Sequence, residues 1–159
     1  MKEILELLES DAMLTPGRIA AMLGRDEEEV AGIIKEMENN KTIMGYFTLV
    51  NWDKLGSEKV NALIEVKISP QRDVGFDAVA ERIYRFPEVR SVMLMSGAYD
   101  LAVMIEGDTM KEVAHFVSFK LASMEYVLST ATHFVLKTYK QHGTILNDGE
   151  EDRRQVIVP

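Results

Sequence analysis

Cysteine is absent from these 159 residues, and no stretch free of charged side chains reaches 18 residues. Without thiols there is no disulfide framework, no thiolate metal site and no cysteine nucleophile. Without a long uncharged run there is no expected membrane-spanning helix. Cations are in short supply too: 18 Lys and Arg against 26 Asp and Glu give a net charge of −8. The opening residues Met1-Lys2-Glu3-Ile4-Leu5-Glu6 are amphipathic, unlike a signal peptide or a targeting arm.

What is present is a globular composition, 47% hydrophobic and 28% charged, which argues against wholesale disorder. The length suits one ordinary domain or two small ones. A soluble, cytoplasmic, acidic protein is expected. The acidity is uneven. Residues 1–60 carry seven cations against twelve carboxylates, a net of −5, and residues 61–159 carry eleven against fourteen, a net of −3.

The first 40 residues read as three helices. Ile4, Leu5, Leu7 and Leu8 form a short amphipathic stretch. Thr15-Pro16 is a cap and first-turn pair opening a helix with Ile19, Ala20 and Leu23, which Gly24 closes. Asp26 then caps a third helix, with Glu29 placed for a capping box. Val30, Ile33, Ile34 and Met37 give that helix one apolar face. A link of about three residues between the second and third helices makes them a helix-turn-helix pair. Ile43 to Val50 is rich in β-formers and predicts a wing or linking strand.

From residue 60 the period becomes two. Val60, Ala62, Ile64, Val66 and Ile68 predict a half-buried strand. Phe76, Val79, Ala80 and Ile83 predict a helix. Val89–Ser96 and Leu101–Glu106 predict a hairpin about Gly97-Ala98-Tyr99-Asp100. Met110, Val113, Ala114, Val117 and Leu121 predict a second helix, and Thr130 to Thr138 a last strand. The order β-α-β-β-α-β is that of an α+β, ferredoxin-like sandwich with helices on one sheet face. The other face needs a cover, for which a second copy of the chain is expected. The charged residues after Asp148 form a tail, and Gln155 to Pro159 would suit an edge strand.

This order resembles the leucine-responsive regulator/asparagine regulator (Lrp/AsnC) family over roughly residues 1–142. The resemblance rests on Ile19-Ala20-Ala21-Met22-Leu23-Gly24, Ile43-Met44-Gly45-Tyr46, Pro87-Glu88-Val89, Gly97-Ala98-Tyr99-Asp100-Leu101 and Leu136-Lys137-Thr138-Tyr139-Lys140. It implies a winged helix-turn-helix over 1–52, a linker over 53–60, a RAM-type effector-binding and oligomerisation domain over 61–142, and a charged tail over 143–159. It also implies a transcriptional regulator, dimeric or larger through its C-terminal sheets. Such a regulator binds a small effector, usually an amino acid, between subunits.

The third helix departs from that family's habit of hydroxyl residues followed by Arg. Its outward face holds Glu28, Glu29, Gly32, Lys35, Glu36 and Asn39. Affinity for duplex DNA comes largely from cations neutralising phosphates, and this face offers one Lys. Arg18, Arg25, Lys35 and Lys41 are the nearby cations that would position a backbone, with Glu28 and Asn39 facing bases. Glu27, Glu28 and Glu29 also favour the helix dipole, which explains how they are tolerated but offsets none of the repulsion from phosphate.

By the same resemblance, Gly97, Ala98, Tyr99, Asp100, Asp108, Thr109, Thr130 and Thr132 are the candidate effector-binding residues. Glycine turns and hydroxyls suit a carboxylate, and carboxylate oxygens suit an ammonium group. Each also has an ordinary structural role, as a turn, a cap or a β-former. Met93, Met95, Met104 and Met110 are expected in the core. His115, His133 and His142 lack metal-ligand spacing, no catalytic constellation is present, and no cofactor is expected. The His- and Arg-rich haem motifs of the similarly built sirohaem decarboxylases are not seen.

A homo-oligomeric, amino-acid-responsive Lrp/AsnC-like regulator with weakened DNA reading is therefore expected. The alternative is a ligand-sensing oligomer that binds no DNA, or one that modulates a DNA-binding paralogue.

Overall fold

The computed structural model describes residues 1–56, 59–69 and 75–146, residue 53 by its backbone alone. It divides into two units, Met1–Val50 and Asn51–Pro159. The tail beyond Leu146, with its suggested edge strand, lies outside the described residues.

The first unit contains α1 (Lys2–Ser10), which has no side-chain cap, α2 (Pro16–Leu23) and α3 (Glu27–Asn39). The last two start at the expected caps Thr15 and Asp26, although the Glu29 side chain turns to Arg25 and does not complete the capping box. Thr15 Oγ1 accepts from the N–H of Arg18, and Pro16 takes the first helical position. Gly24 ends α2 at φ 64°, a left-handed conformation that glycine adopts without the cost of a Cβ. Asp26 Oδ1 then accepts from the N–H groups of Glu28 (2.9 Å) and Glu29 (3.2 Å). Ile4, Leu8, Ile19, Ala20, Val30, Ile34 and Met37 close one small core between the three helices.

The expected strand over Ile43 to Val50 is not formed; residues 44–50 carry no secondary structure. β-propensity favours extended backbone, but a strand also requires a neighbour to share its ladder. No other segment of this unit is a strand. Among the described residues its hydrogen bonds lie at its start, where Ile43 N–H donates to Met37 O and the Tyr46 hydroxyl to Glu38 Oε1.

The second unit contains β1 (Val60–Ile68), α4 (Phe76–Tyr84), β2 (Val89–Leu94), β3 (Leu101–Gly107), α5 (Met110–Phe116) and β4 (Val127–Phe134). The sheet order is β2-β3-β1-β4, antiparallel throughout, the topology of a ferredoxin-like sandwich. Alternation along β1 sends Ala62, Ile64, Val66 and Ile68 to the helix side. There they meet Leu101, Val103 and Ile105 of β3, Val79 and Ile83 of α4, and Val113 and Phe116 of α5. After Phe116 the helix widens into one π-helical turn, Val117–Leu121, which still buries Val117 and Leu121 in this core.

Two sequence expectations need correction here. The last strand ends at Phe134 instead of Thr138: its pairing with β1 stops at Phe134 opposite Ala62, with one further bond from Val135 N–H to Asn61 O. A separate short hairpin follows, β5 (Lys140–Gln141) with β6 (Thr144–Ile145). The four methionines expected in the core are not there. Met93, Met95 and Met110 are exposed, and Met104 is half-buried. Ser91 pairs with Met104 and Met93 with Ala102, so these residues belong to the sheet face that the helices leave open.

Glu106 near the end of β3 draws two cations, Lys59 Nζ at 2.6 Å and an Arg90 nitrogen at 2.7 Å. The Lys59 hydrogen bond, opposed by partial burial and reinforced by Arg90, holds its pKa below the usual 4.5. A lowered folded pKa contributes stability above the unfolded value, and that contribution is lost as pH falls through the folded value. The midpoint of urea unfolding should therefore fall with acidification below about pH 4.5, and less steeply in a Glu106→Gln chain. Parallel pH profiles for the two chains would refute this assignment.

Candidate DNA-facing and effector sites

Helices α2 and α3 are joined by Gly24-Arg25-Asp26, a turn short enough to hold them at a fixed angle. Burial of Val30, Ile34 and Met37 turns Glu28, Glu29, Gly32, Lys35, Glu36 and Asn39 outward, all of them exposed. The three glutamates of the first turn behave differently. Glu29 lies 3.9 Å from Arg25, which also approaches Glu3 of α1 at 3.5 Å. Glu27 folds back onto α2: a Cβ built on Gly17 would stand 3.0 Å from its Cδ, Oε1 and Oε2. The Glu28 side chain is exposed and meets no ion-pair partner among the described residues.

The six residues picked out for DNA are thus brought to one unit but not to one condition. Arg18, Lys35 and Lys41 are exposed and free of ion pairs among the described residues. Arg25 is half-buried and committed to two carboxylates of its own chain. Asn39 is the last residue of α3, and Lys41 follows at φ 63°, where glycine is the more usual occupant. The Arg25–Glu3 pair joins residues 22 apart, and periodicity carries no signal for it.

The effector candidates separate into two groups. The β2–β3 loop is closed by Met95 N–H donating to Asp100 O, with Gly97 and Ala98 exposed and Tyr99 and Asp100 half-buried. Asp100 is bound to β1 twice, its N–H donating to Val66 O (3.0 Å) and its Oδ2 accepting from Ile68 N–H (2.7 Å). Thr130 pairs with Val66 from the other side of β1, and Thr132 with Ile64, so both lie toward this end of the sheet. Asp108 and Thr109 lie at the other end, beyond the Gly107–Val60 pair. Thr109 Oγ1 accepts from Glu112 N–H and Glu112 Oε2 from Asp108 N–H, a reciprocal cap on α5. Seven residues of β3 separate the groups, roughly 20 Å at the usual rise per residue.

Between the end of β3 and α5 the structure shows a cavity of about 310 Å³ that sequence reasoning missed, walled by Glu88, Ile105, Glu112, Val113, Phe116 and Lys120. Its residues come from three separated segments, and no spacing announces them. Lys120 donates to Glu88 Oε1 and lies over the rings of Phe86 (5.2 Å) and Phe116 (5.5 Å). The Lys120 hydrogen bond, against partial burial, lowers the pKa of Glu88. Among the histidines, His115 stacks on Phe119 at 4.3 Å, His133 lies 3.3 Å from Glu65, and His142 occupies the β5–β6 turn. No group of metal-binding side chains occurs among the described residues, and no helix among them is long and apolar enough to cross a membrane.

A three-helix head and a ferredoxin-like α+β domain carrying a loop-and-threonine cluster define a two-part architecture. Comparison with known proteins gives it a family. The family model described as "Lrp/AsnC ligand binding domain" matches residues 61–145. The HTH-type transcriptional regulator YugG of Bacillus subtilis, itself uncharacterised, is 49% identical over 99% of this chain and 95% of its own length. Among solved structures, Escherichia coli AsnC superposes with a TM-score of 0.69 at 20% identity, covering 92% of this chain and 95% of that one. A Neisseria meningitidis transcriptional regulator solved as a complex with L-Met has a TM-score of 0.71 at 24% identity, covering 87% and 89%. The chain belongs to the Lrp/AsnC family, whose members are transcriptional regulators and not enzymes.

Asp100 offers a direct stability test. Asp100→Ala leaves the Ile68 N–H without its charged acceptor and should lower unfolding stability by about 1.5–3 kcal/mol, with Asp100→Asn falling between. Urea unfolding of the three chains measures this, and an alanine variant as stable as the parent would remove the lock from Asp100.

Proposed function

We propose that this chain is a transcriptional regulator of the Lrp/AsnC family that senses an amino acid and whose helix-turn-helix, α2 and α3, contacts DNA only weakly. It works in the cytoplasm as a homo-oligomer, with the open face of the β2-β3-β1-β4 sheet covered by a second copy. The observation that carries the weak DNA contact is the electrostatics of the head. Three carboxylates open α3, and Arg25 is neutralised by Glu3 and Glu29. Phosphate attraction is then left to Arg18, Lys35 and Lys41, and each missing cation removes a share of the salt-dependent affinity. Several heads on one oligomer would compensate through effective concentration.

The commitment of Arg25 equally favours a second reading, in which the oligomer binds no DNA by itself and acts by mixing with a DNA-binding paralogue. A gel shift with the gene's own upstream region separates the two. Retention at physiological salt supports the first reading, and retardation only at low salt supports the second. Replacing Glu27, Glu28 and Glu29 together by Gln should raise nonspecific affinity at low salt by about tenfold or more. An unchanged affinity would reject an electrostatic cause.

For the effector, support comes from the domain match, from the L-Met complex of the Neisseria structure, and from the gathering of Gly97–Asp100 with Thr130 at one sheet end. One or a few L-amino acids should raise the melting temperature, by roughly 2–4 °C per kcal/mol of linkage in a chain of this size. A full panel without a shift would count against an amino-acid effector.

A further inference from the structure

The cavity between the end of β3 and α5 stands apart from the loop-and-threonine cluster, at the opposite end of β3 from Gly97–Asp100. Its volume of about 310 Å³ falls at the lower end of the range for small-molecule sites, about 300–1,000 Å³. Ile105, Val113 and Phe116 of the buried core give it apolar walls. Glu88, Glu106 and Glu112 line it against a single lysine, Lys120. Glu106 is spent on Lys59 and Arg90, and one oxygen of Glu112 on the Asp108 N–H. Glu88 is different. Its Oε1 accepts from Lys120, which favours the ionised carboxylate, while its Oε2 is buried and accepts no hydrogen bond among the described residues. A buried carboxylate oxygen without a donor costs stability that an incoming N–H would recover.

Lys120 shows what these walls accept. Its ammonium bonds Glu88 and lies over the rings of Phe86 (5.2 Å) and Phe116 (5.5 Å), which meet edge to face at 5.4 Å between centroids. A carboxylate beside aromatic rings is a constellation that recognises an ammonium group. An anion entering the same space would meet three carboxylates, and the one lining lysine is already paired. We propose that this cavity binds a small organic cation, an ammonium group on a short apolar body. The head donates to Glu88, and the body rests on Ile105, Val113 and Phe116. Lys120 competes with that head for Glu88 and so sets the affinity. The site is separate from the amino-acid site proposed above and does not depend on it.

The test uses the full-length chain and 2-phenylethylamine as the probe, with 2-phenylethanol and phenylacetate as its neutral and anionic counterparts, in calorimetric titrations near neutral pH. The amine should bind, and the alcohol and the acid should bind at least about tenfold more weakly. Two variants that break the same ion pair should then move in opposite directions. Glu88→Gln removes the charge of the acceptor and should weaken amine binding about tenfold. Lys120→Met removes the competitor and should tighten it severalfold. An ion pair with a purely structural role would shift both the same way. Should Glu88→Gln not fold, Lys120→Met decides alone, and unchanged or weaker binding there overturns the proposal. In methyl NMR spectra the amine should move the signals of Ile105 and Val113 and leave those of Leu101, at the other end of β3, in place. No binding of the amine, equal binding of the three probes, variants that shift together, or movement centred on Leu101 each overturns the site.

Discussion

The positive end of a helix attracts whichever anion is nearest, and in the head of this chain the nearest anions are its own. Asp26 satisfies two N–H groups of α3, and Glu27 lies on the first turn of α2. Each such contact stabilises its helix by about 0.3–1 kcal/mol when exposed. A small three-helix unit with a core of seven buried residues has reason to keep such increments. The same carboxylates oppose a phosphate backbone approaching that surface. On the DNA contact proposed above, head stability and DNA affinity would be set against each other at the same few atoms. Arg25 sharpens the conflict, because its pairs with Glu3 and Glu29 hold α1, α2 and α3 together with a cation that DNA would otherwise use.

The second unit depends on a different constraint, the position of β1 between β3 and β4. All four helix-facing residues from Ala62 to Ile68 are buried, and β1 pairs along its length with both β3 and β4. Asp100 fastens the start of β3 to β1 through backbone and side chain together. A residue implied by resemblance to bind an effector is therefore also a part of the sheet. One of its carboxylate oxygens is engaged with the Ile68 N–H. Any ligand gripping that loop would act on the pairing of β3 with β1, a direct route from effector to sheet.

Much of this was legible from spacing alone. The period-two run of β1, the apolar stripe of α3, and the caps at Thr15, Asp26 and Thr109 all report local physics, which the structure follows. What escaped was set by partners distant in sequence. Extended propensity over residues 43–50 could not become a strand without a neighbour. The methionines of β2 and β3 are apolar enough for a core, but their register places Met93 and Met104 on the open face. The contacts Arg25–Glu3 and Glu27–Gly17 cross between helices, where a single-helix pattern has no view of them.

The division of the effector candidates has a consequence for how such a regulator would work. Two groups roughly 20 Å apart along β3 cannot grip one amino acid within a single chain. The end with Gly97–Asp100 and Thr130 offers donors and acceptors close together, whereas Asp108 and Thr109 are already occupied in capping α5. If Asp108 or Thr109 takes part at all, it does so from a second copy whose opposite end is brought alongside. A ligand held that way bridges subunits, so its free energy of binding is also a free energy of assembly. Assembly in turn sets how many acidic heads are presented together, and under the proposed weak contact that number would decide whether DNA is held.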